Sequence, residues 1–157
     1  MAMRSLEQIT PVGRVASGFA GFARQHAPLV VSSGFHELID PVLEREGVEL
    51  EVRANRLDAR PDGWRVLFRE QDECSVCGER CKRSDLSDLT GFTYVGDGYS
   101  DRCVAEVATR VFARDGLAAY LAGKGFPFEP FDDFYDVARA LEGEAVVPPG
   151  RSRGRNT

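Results

Sequence analysis

Long apolar runs are missing from this 157-residue sequence. No stretch approaches the ~18 apolar residues that a membrane-spanning helix requires. The N-terminus, Met1 to Thr10, also lacks the continuous apolar core of a secretory signal. The expectation is a cytoplasmic protein with no membrane partner. Positive charge is scarce too: 20 Lys and Arg face 25 Asp and Glu, for a net charge of −5. Three of the arginines fall in the tail Arg151–Thr157, so residues 1–150 carry −8. Phosphate backbones require clustered positive charge, so nucleic acid is not an expected partner. Lysine is nearly absent. Of the 20 basic residues 18 are Arg, which leaves Lys82 and Lys124 and makes a Lys at a chemically suggestive position stand out. There is no internal repeat, no second C-x₂-C and no H-x₃-H.

What remains is ordinary globular material, 43% hydrophobic and 29% charged, enough for one domain. Residues 17–27 fit a short helix with Phe19, Phe22 and Ala23 on one face. The apolar run Pro28–Ser32, closed by Ser33-Gly34, suits a buried parallel strand. Phe35, Leu38, Ile39, Val42 and Leu43 fall on one helical face, with Pro41 inside and Gly47 at the end. Val48–Val52 alternates as a strand does, and residues 57–59 and 64–68 read as a hairpin around Arg60-Pro-Asp-Gly63. A polar, Cys-rich loop covers 71–81 and a short helix 81–89. Strands are expected at 92–95 and 110–113, and helices at 100–109, 117–123 and 131–141. The Pro-, Gly- and Arg-rich stretch from Val146 is expected to be disordered. Alternating strands and helices predict an α/β fold with a parallel sheet, in which ligands bind beyond the carboxyl ends of the strands.

Two strands end in small polar residues at that edge. Ser32, Ser33 and Gly34 offer a hydroxyl and unhindered N–H groups that can hold a phosphate, or alternatively cap the next helix. Asp97 and Asp101, in Val95-Gly-Asp-Gly-Tyr-Ser-Asp101, offer two carboxylates suited to Mg²⁺, or a Gly-rich turn followed by a helix cap. Lys82, at the head of a short helix, is either a phosphate- or carboxylate-neutralising ammonium or an exposed surface Lys. Cys74, Cys77 and Cys81 have C-x₂-C-x₃-C spacing, which fits three zinc thiolates on one loop or plain reduced thiols. The remaining candidates for a fourth zinc ligand, Cys103, His26 and His36, are distant in sequence.

In this order along the chain the pieces resemble the haloacid dehalogenase-like phosphatases. The resemblance is closer to the phosphoserine-phosphatase-like branch that contains the methionine-salvage phosphatases. It rests on Val31-Ser-Ser-Gly-Phe35, the Cys loop directly before Lys82, Val95–Asp101, Phe112-Ala-Arg-Asp115 and Phe131-Asp-Asp-Phe134, and it covers residues 19 to 142. It implies a three-layer Rossmann-like core and a Mg²⁺-dependent phosphomonoester phosphatase acting on a small phosphorylated metabolite. By the same resemblance Ser32, Ser33 and Gly34 would bind phosphate, and Lys82 would contact nucleophile and phosphate. Asp97 would bind Mg²⁺, and Asp101 would bind it through water or brace Lys82.

One departure is large. The family's first strand ends in Asp-x-Asp, whose first Asp is the nucleophile, and this sequence contains no Asp-x-Asp. The resemblance therefore implies an incomplete form, without the central first strand and without most of the helical cap. Residues 1–18 would be a cap remnant or linker, 19–142 the core with a small β-hairpin, and 143–157 the tail. Between Leu29–Ser32 and Phe92–Val95 either the two strands close up and pair, or a gap is left for a partner chain, self-association or residues 5–15 to cover, the last a poor central strand because of Pro11. Two other readings stay open: a catalytically silent protein that binds phosphate or a partner, and a zinc-loop interaction module on residues 74–81.

Overall fold

The computed structural model describes residues 16–145. The segment 5–15, most of the expected cap remnant and the tail from Val146 lie outside the described residues. No described helix is long and apolar enough to cross a membrane.

The first half builds one three-stranded sheet. Helix α1 (Phe19–His26) buries Phe22 and Ala23 and leads into β1 (Val30–Phe35). Helix α2 (His36–Arg45), with Pro41 inside it, follows at once. Strand β2 (Val52–Arg60) lies parallel to β1, pairing Val30 with Val52 and Val31 with Arg53. Its far half pairs antiparallel with β3 (Gly63–Leu67), and the Arg60–Gly63 pair closes the hairpin through Pro61 and Asp62. The expected strands at 48–52 and 57–59 are thus corrected to one continuous strand. It exchanges one neighbour for another midway, so its ladder never breaks. Val48 and Leu50 instead pack beneath α1 and α2 with Ala23, Ile39 and Leu43.

The second half builds a parallel sheet. It consists of β4 (Thr93–Gly96), β5 (Arg110–Ala113) and the two-residue β6 (Glu129–Pro130), with β5 in the middle. Strand alternation explains its layers. Val111 and Ala113 face a cluster with Val104 of α4 (Arg102–Ala105) and with Leu117 and Leu121 of α5 (Asp115–Lys124). Phe112, on the other face, packs on Phe22 of α1, Phe131, and Val137 of α6 (Phe134–Ala145). Helices therefore cover both faces. The helix expected at 100–109 is shorter than its pattern: a 3₁₀ turn, Tyr99–Asp101, precedes the four residues of α4.

Among the described residues no ladder joins β1 to β4. A groove of about 480 Å³ lies there, lined by Leu29, Val30 and Val31 on one side and by Thr93–Gly96 on the other. Phe22 and Val137 contribute apolar surface, and Lys82, Asp97 and Asp101 stand in the same lining. The groove falls where the sequence reading puts the missing central strand.

Candidate functional site

Lys82 opens the short helix α3 (Lys82–Asp85), which packs against β1. Its Nζ donates to Asp101 Oδ1 at 2.5 Å, and both side chains are largely buried. Tyr94 of β4 donates its hydroxyl to the same oxygen at 2.6 Å. The other oxygen, Oδ2, accepts the backbone N–H groups of Asp97 at 3.0 Å and Gly98 at 2.9 Å. Burial by itself would raise the Asp101 pKa. The hydrogen bonds from Lys82, Tyr94 and Gly98 and the Lys82 charge outweigh it, so the carboxyl stays below the usual carboxylate range. Burial first, and then the adjacent Asp101 charge, push the Tyr94 hydroxyl upward and keep it a neutral donor.

The Asp97 loop is held from three directions. Arg114 N–H donates to Gly96 O at 3.3 Å, Leu117 N–H donates to Asp97 O at 3.0 Å, and Asp101 Oδ2 draws in the two amides already named. Gly96 has no room for a side chain. A Cβ there would stand 2.8 Å from Asp101 Cγ and 2.9 Å from the Tyr94 ring. Gly96→Ala should therefore displace Asp101 and loosen Lys82. The expected outcome is a lowered Tm in a thermal melt, whereas Gly98→Ala, with nothing nearer than 3.9 Å, should melt close to the parent. Equal melting temperatures would show that the loop yields without strain.

The donor set decides how Mg²⁺, implied by the resemblance, could sit here. A carboxylate offers about four lone-pair sites, and Asp101 already accepts four hydrogen bonds, so it does not fit as a direct ligand. Asp97 fits: its carboxylate is 58% exposed, with Arg114 at 3.9 Å. Mg²⁺ keeps several waters and takes one or two protein carboxylates, so Asp97 would supply one of them.

The phosphate-loop candidates are built differently from the expectation. The strand does not stop at Ser32 but runs to Phe35. Pairing passes from Val31–Arg53 to Phe35–Asn55, so β1 advances four residues while β2 advances two, and Ser32-Ser33-Gly34 bulges out of the ladder. Gly34 N–H donates to Ser32 Oγ at 3.0 Å. The capping alternative is corrected: α2 has Phe35 at its N-cap and no side-chain cap. Lys82, Asp97 and Asp101 share the groove lining. Ser32 is not among the lining residues, although Val30 and Val31 of its strand are.

A network not legible in the sequence links the bulge to α3, the helix that Lys82 opens. Buried Asn55 donates to Ser33 O at 3.2 Å and accepts from the Arg69 backbone and guanidinium. Arg69 then grips Asp85, at the end of α3, through two bonds of 2.6 and 2.7 Å. Arg53 adds bonds to Asp85 O and to both Asp88 oxygens. Tyr94 and Arg114 were missed as well. Arg114 belongs to Phe112-Ala-Arg-Asp115, but nothing in the sequence directs its side chain to Asp97.

The cysteines form one group. Cys74, Cys77, Cys81 and Cys103 place their sulfurs within 4.8 Å of one another, and Cys74 and Cys103 lie 3.7 Å apart. Cys74 is buried, whereas Cys77 is exposed. Amides of Cys77 and Val76 hydrogen-bond Cys74 and bring its thiol well below the ordinary range, while burial raises Cys103 and Cys81.

No model of a known family matches the chain. Similar curated proteins are nevertheless found. The 2-hydroxy-3-keto-5-methylthiopentenyl-1-phosphate phosphatase of Geobacillus kaustophilus is 32% identical, over 82% of this chain and 62% of its own length. The protein of the same name from an Exiguobacterium species is 26% identical, over 74% of this chain and 57% of its own length. The polyol phosphate phosphatase of Saccharomyces cerevisiae is 28% identical, over 76% and 58% respectively. Among solved structures, the phosphoserine phosphatase from T. onnurineus superposes with a TM-score of 0.53 at 19% identity, covering 78% of this chain and 55% of that one. This chain thus spans somewhat over half the length of the proteins it matches.

Proposed function

We propose that this chain is a member of the phosphoserine-phosphatase-like branch of the haloacid dehalogenase-like family and carries the charge-stabilising half of a phosphomonoester phosphatase site, a reading supported by its likeness to phosphatases. Its substrate class is a small phosphorylated metabolite. The single observation that carries this reading is the groove between β1 and β4, which brings Lys82, Asp97 and Asp101 together beside a sheet edge that no other described residue pairs with.

In this reading Asp101 fixes Lys82 and, through Oδ2, the backbone of the Asp97 loop. The Lys82 ammonium faces the groove and offsets charge on a phosphoryl group and on the carboxylate that attacks it. Ser32, Ser33 and Gly34, which stand outside the groove lining with the Gly34 N–H bonded to Ser32 Oγ, would hold phosphate oxygens only if the β1 bulge rearranges when phosphate binds. Mg²⁺, bound at Asp97, would supply Lewis-acid polarisation of a phosphoryl oxygen. The attacking carboxylate comes from an extended segment seated between β1 and β4, where both sheets leave an edge to pair with. That segment is contributed in the same polypeptide or by a partner chain.

The experiment joins an extended segment ending in Asp-x-Asp, together with a cap, ahead of this chain and assays phosphomonoester hydrolysis with Mg²⁺. The joined protein should turn over para-nitrophenyl phosphate, and Lys82→Ala or Asp97→Asn should abolish this. A folded, joined protein without turnover would sink the proposal.

A further inference from the structure

We propose that Cys74, Cys77, Cys81 and Cys103 form a structural Zn²⁺ site that staples the 71–81 loop to α4. The inference stands independently of the phosphatase reading, because it concerns a separate set of side chains.

The geometry is close to what zinc requires. Zn–S bonds of ~2.3 Å arranged tetrahedrally put neighbouring sulfurs ~3.8 Å apart. Here Cys74 and Cys103 are 3.7 Å apart, and all four sulfurs fall within 4.8 Å. The cluster is therefore nearly assembled, and the remaining contraction is within reach of side-chain rotation.

The loop around it is shaped as a ligand turn. Gly78 takes a positive φ of 72°, and its N–H returns to Cys74 O at 2.8 Å. Cys74 N–H donates to Glu79 O at 2.9 Å, and Cys81 N–H also reaches Glu79 O, at 3.0 Å. Three cysteines are thus folded onto one side of a segment that forms no regular element of its own. The fourth ligand comes from α4, 22 residues after Cys81 in sequence. All four positions are filled by protein, which marks a closed structural site rather than a catalytic one. A tetrathiolate donor set selects Zn²⁺ over the hard cation expected at Asp97.

The placement gives the site a purpose. Cys81 immediately precedes Lys82, and Cys103 stands two residues after Asp101. A metal joining Cys81 to Cys103 holds together the two segments whose side chains meet in the Lys82–Asp101 pair. Binding exchanges the thiol protons for the metal, and Arg83, hydrogen-bonded to Cys103, offsets part of the resulting negative charge.

The test uses the 157-residue chain purified under reducing conditions. Elemental analysis should find about one Zn²⁺ per chain, and Co²⁺ replacement should give the thiolate charge-transfer and tetrahedral d–d bands of a four-sulfur site. Removing zinc with a strong chelator should lower the Tm, and adding it back should restore it. Cys103→Ser should weaken Zn²⁺ by more than ~100-fold, since loss even of an outer-shell partner costs 10–100-fold. Three results would overturn the proposal: a metal-free chain whose thiols ignore added zinc, unchanged affinity in Cys103→Ser, or a Cys74–Cys103 disulfide. Should Cys103→Ser fail to fold, the Co²⁺ spectrum of the parent still decides, because a three-sulfur or octahedral spectrum contradicts the site.

Discussion

Purified on its own, the 157-residue chain should give no Mg²⁺-dependent hydrolysis of para-nitrophenyl phosphate. Among the described residues, the Lys82, Asp97 and Asp101 that meet in the groove are binding or charge-stabilising groups, with Asp101 anchoring the other two. Such groups can hold a phosphate in its ground state, but holding the ground state does not lower the barrier. Turnover through a covalent aspartyl-phosphate needs a carboxylate aimed at phosphorus, and Asp101 is not free for that role. Both of its oxygens are engaged, by Lys82, Tyr94 and two backbone amides. Loss of a nucleophile costs on the order of 10⁶ in kcat in a hydrolase where it has been dissected. A loss of that size leaves nothing above background. Phosphate binding without turnover, detected by calorimetry and weakened in Lys82→Ala, is the expected companion result. Turnover by the unextended chain that vanishes in Asp97→Asn would identify Asp97 as the attacking residue and overturn this assignment.

The second large effect concerns the same carboxylate as a structural element. Asp101→Asn should destabilise the chain by about 3–5 kcal/mol, the usual cost of leaving one member of a buried ion pair alone. With total stabilities of about 5–15 kcal/mol, that is a large fraction of the whole. Lys82 would stay largely buried without its counter-charge, and the Tyr94 hydroxyl would lose its ionised acceptor. The pH dependence carries a definite sign. Because the folded-state pKa of Asp101 is depressed, its contribution is fully present above the unfolded carboxylate value of about 3.9. It is lost as pH falls below that value, through the folded pKa. Urea titrations between neutral pH and pH 3 should show the parent losing more stability on acidification than Asp101→Asn does. Equal acid slopes in the two proteins would mean that the Lys82–Asp101 bond contributes nothing net.

Much of this architecture was legible in local pattern. The hairpin around Pro61-Asp62 follows from turn chemistry, and the Arg110–Ala113 strand follows from a short apolar run. Where the reading erred, a neighbour outweighed the local signal. Val48–Val52 alternates like a strand, yet Val48 and Leu50 serve as the floor under α1 and α2, and the ladder begins only at Val52. Ser32-Ser33-Gly34 looks like a strand end, but Asn55 and the β2 register keep Phe35 paired and force the three residues into a bulge.

By itself the sequence determined the chemistry that could be present. It placed Ser32, Lys82, Asp97 and Asp101 in family order, gathered Cys74, Cys77 and Cys81 on one segment, and contained no Asp-x-Asp. These are statements about residue identity and spacing, which a chain carries before it folds. Only the tertiary structure decided which of them meet. It set Lys82 on Asp101 across 19 residues, turned Arg114 toward Asp97, brought Cys103 to the three loop cysteines, and left the groove between β1 and β4 without a strand among the described residues. The reason is physical. A contact between distant residues depends on how helices stack over both faces of the β4–β6 sheet and on which edge each strand leaves unpaired, and neither is encoded in any single stretch of the chain.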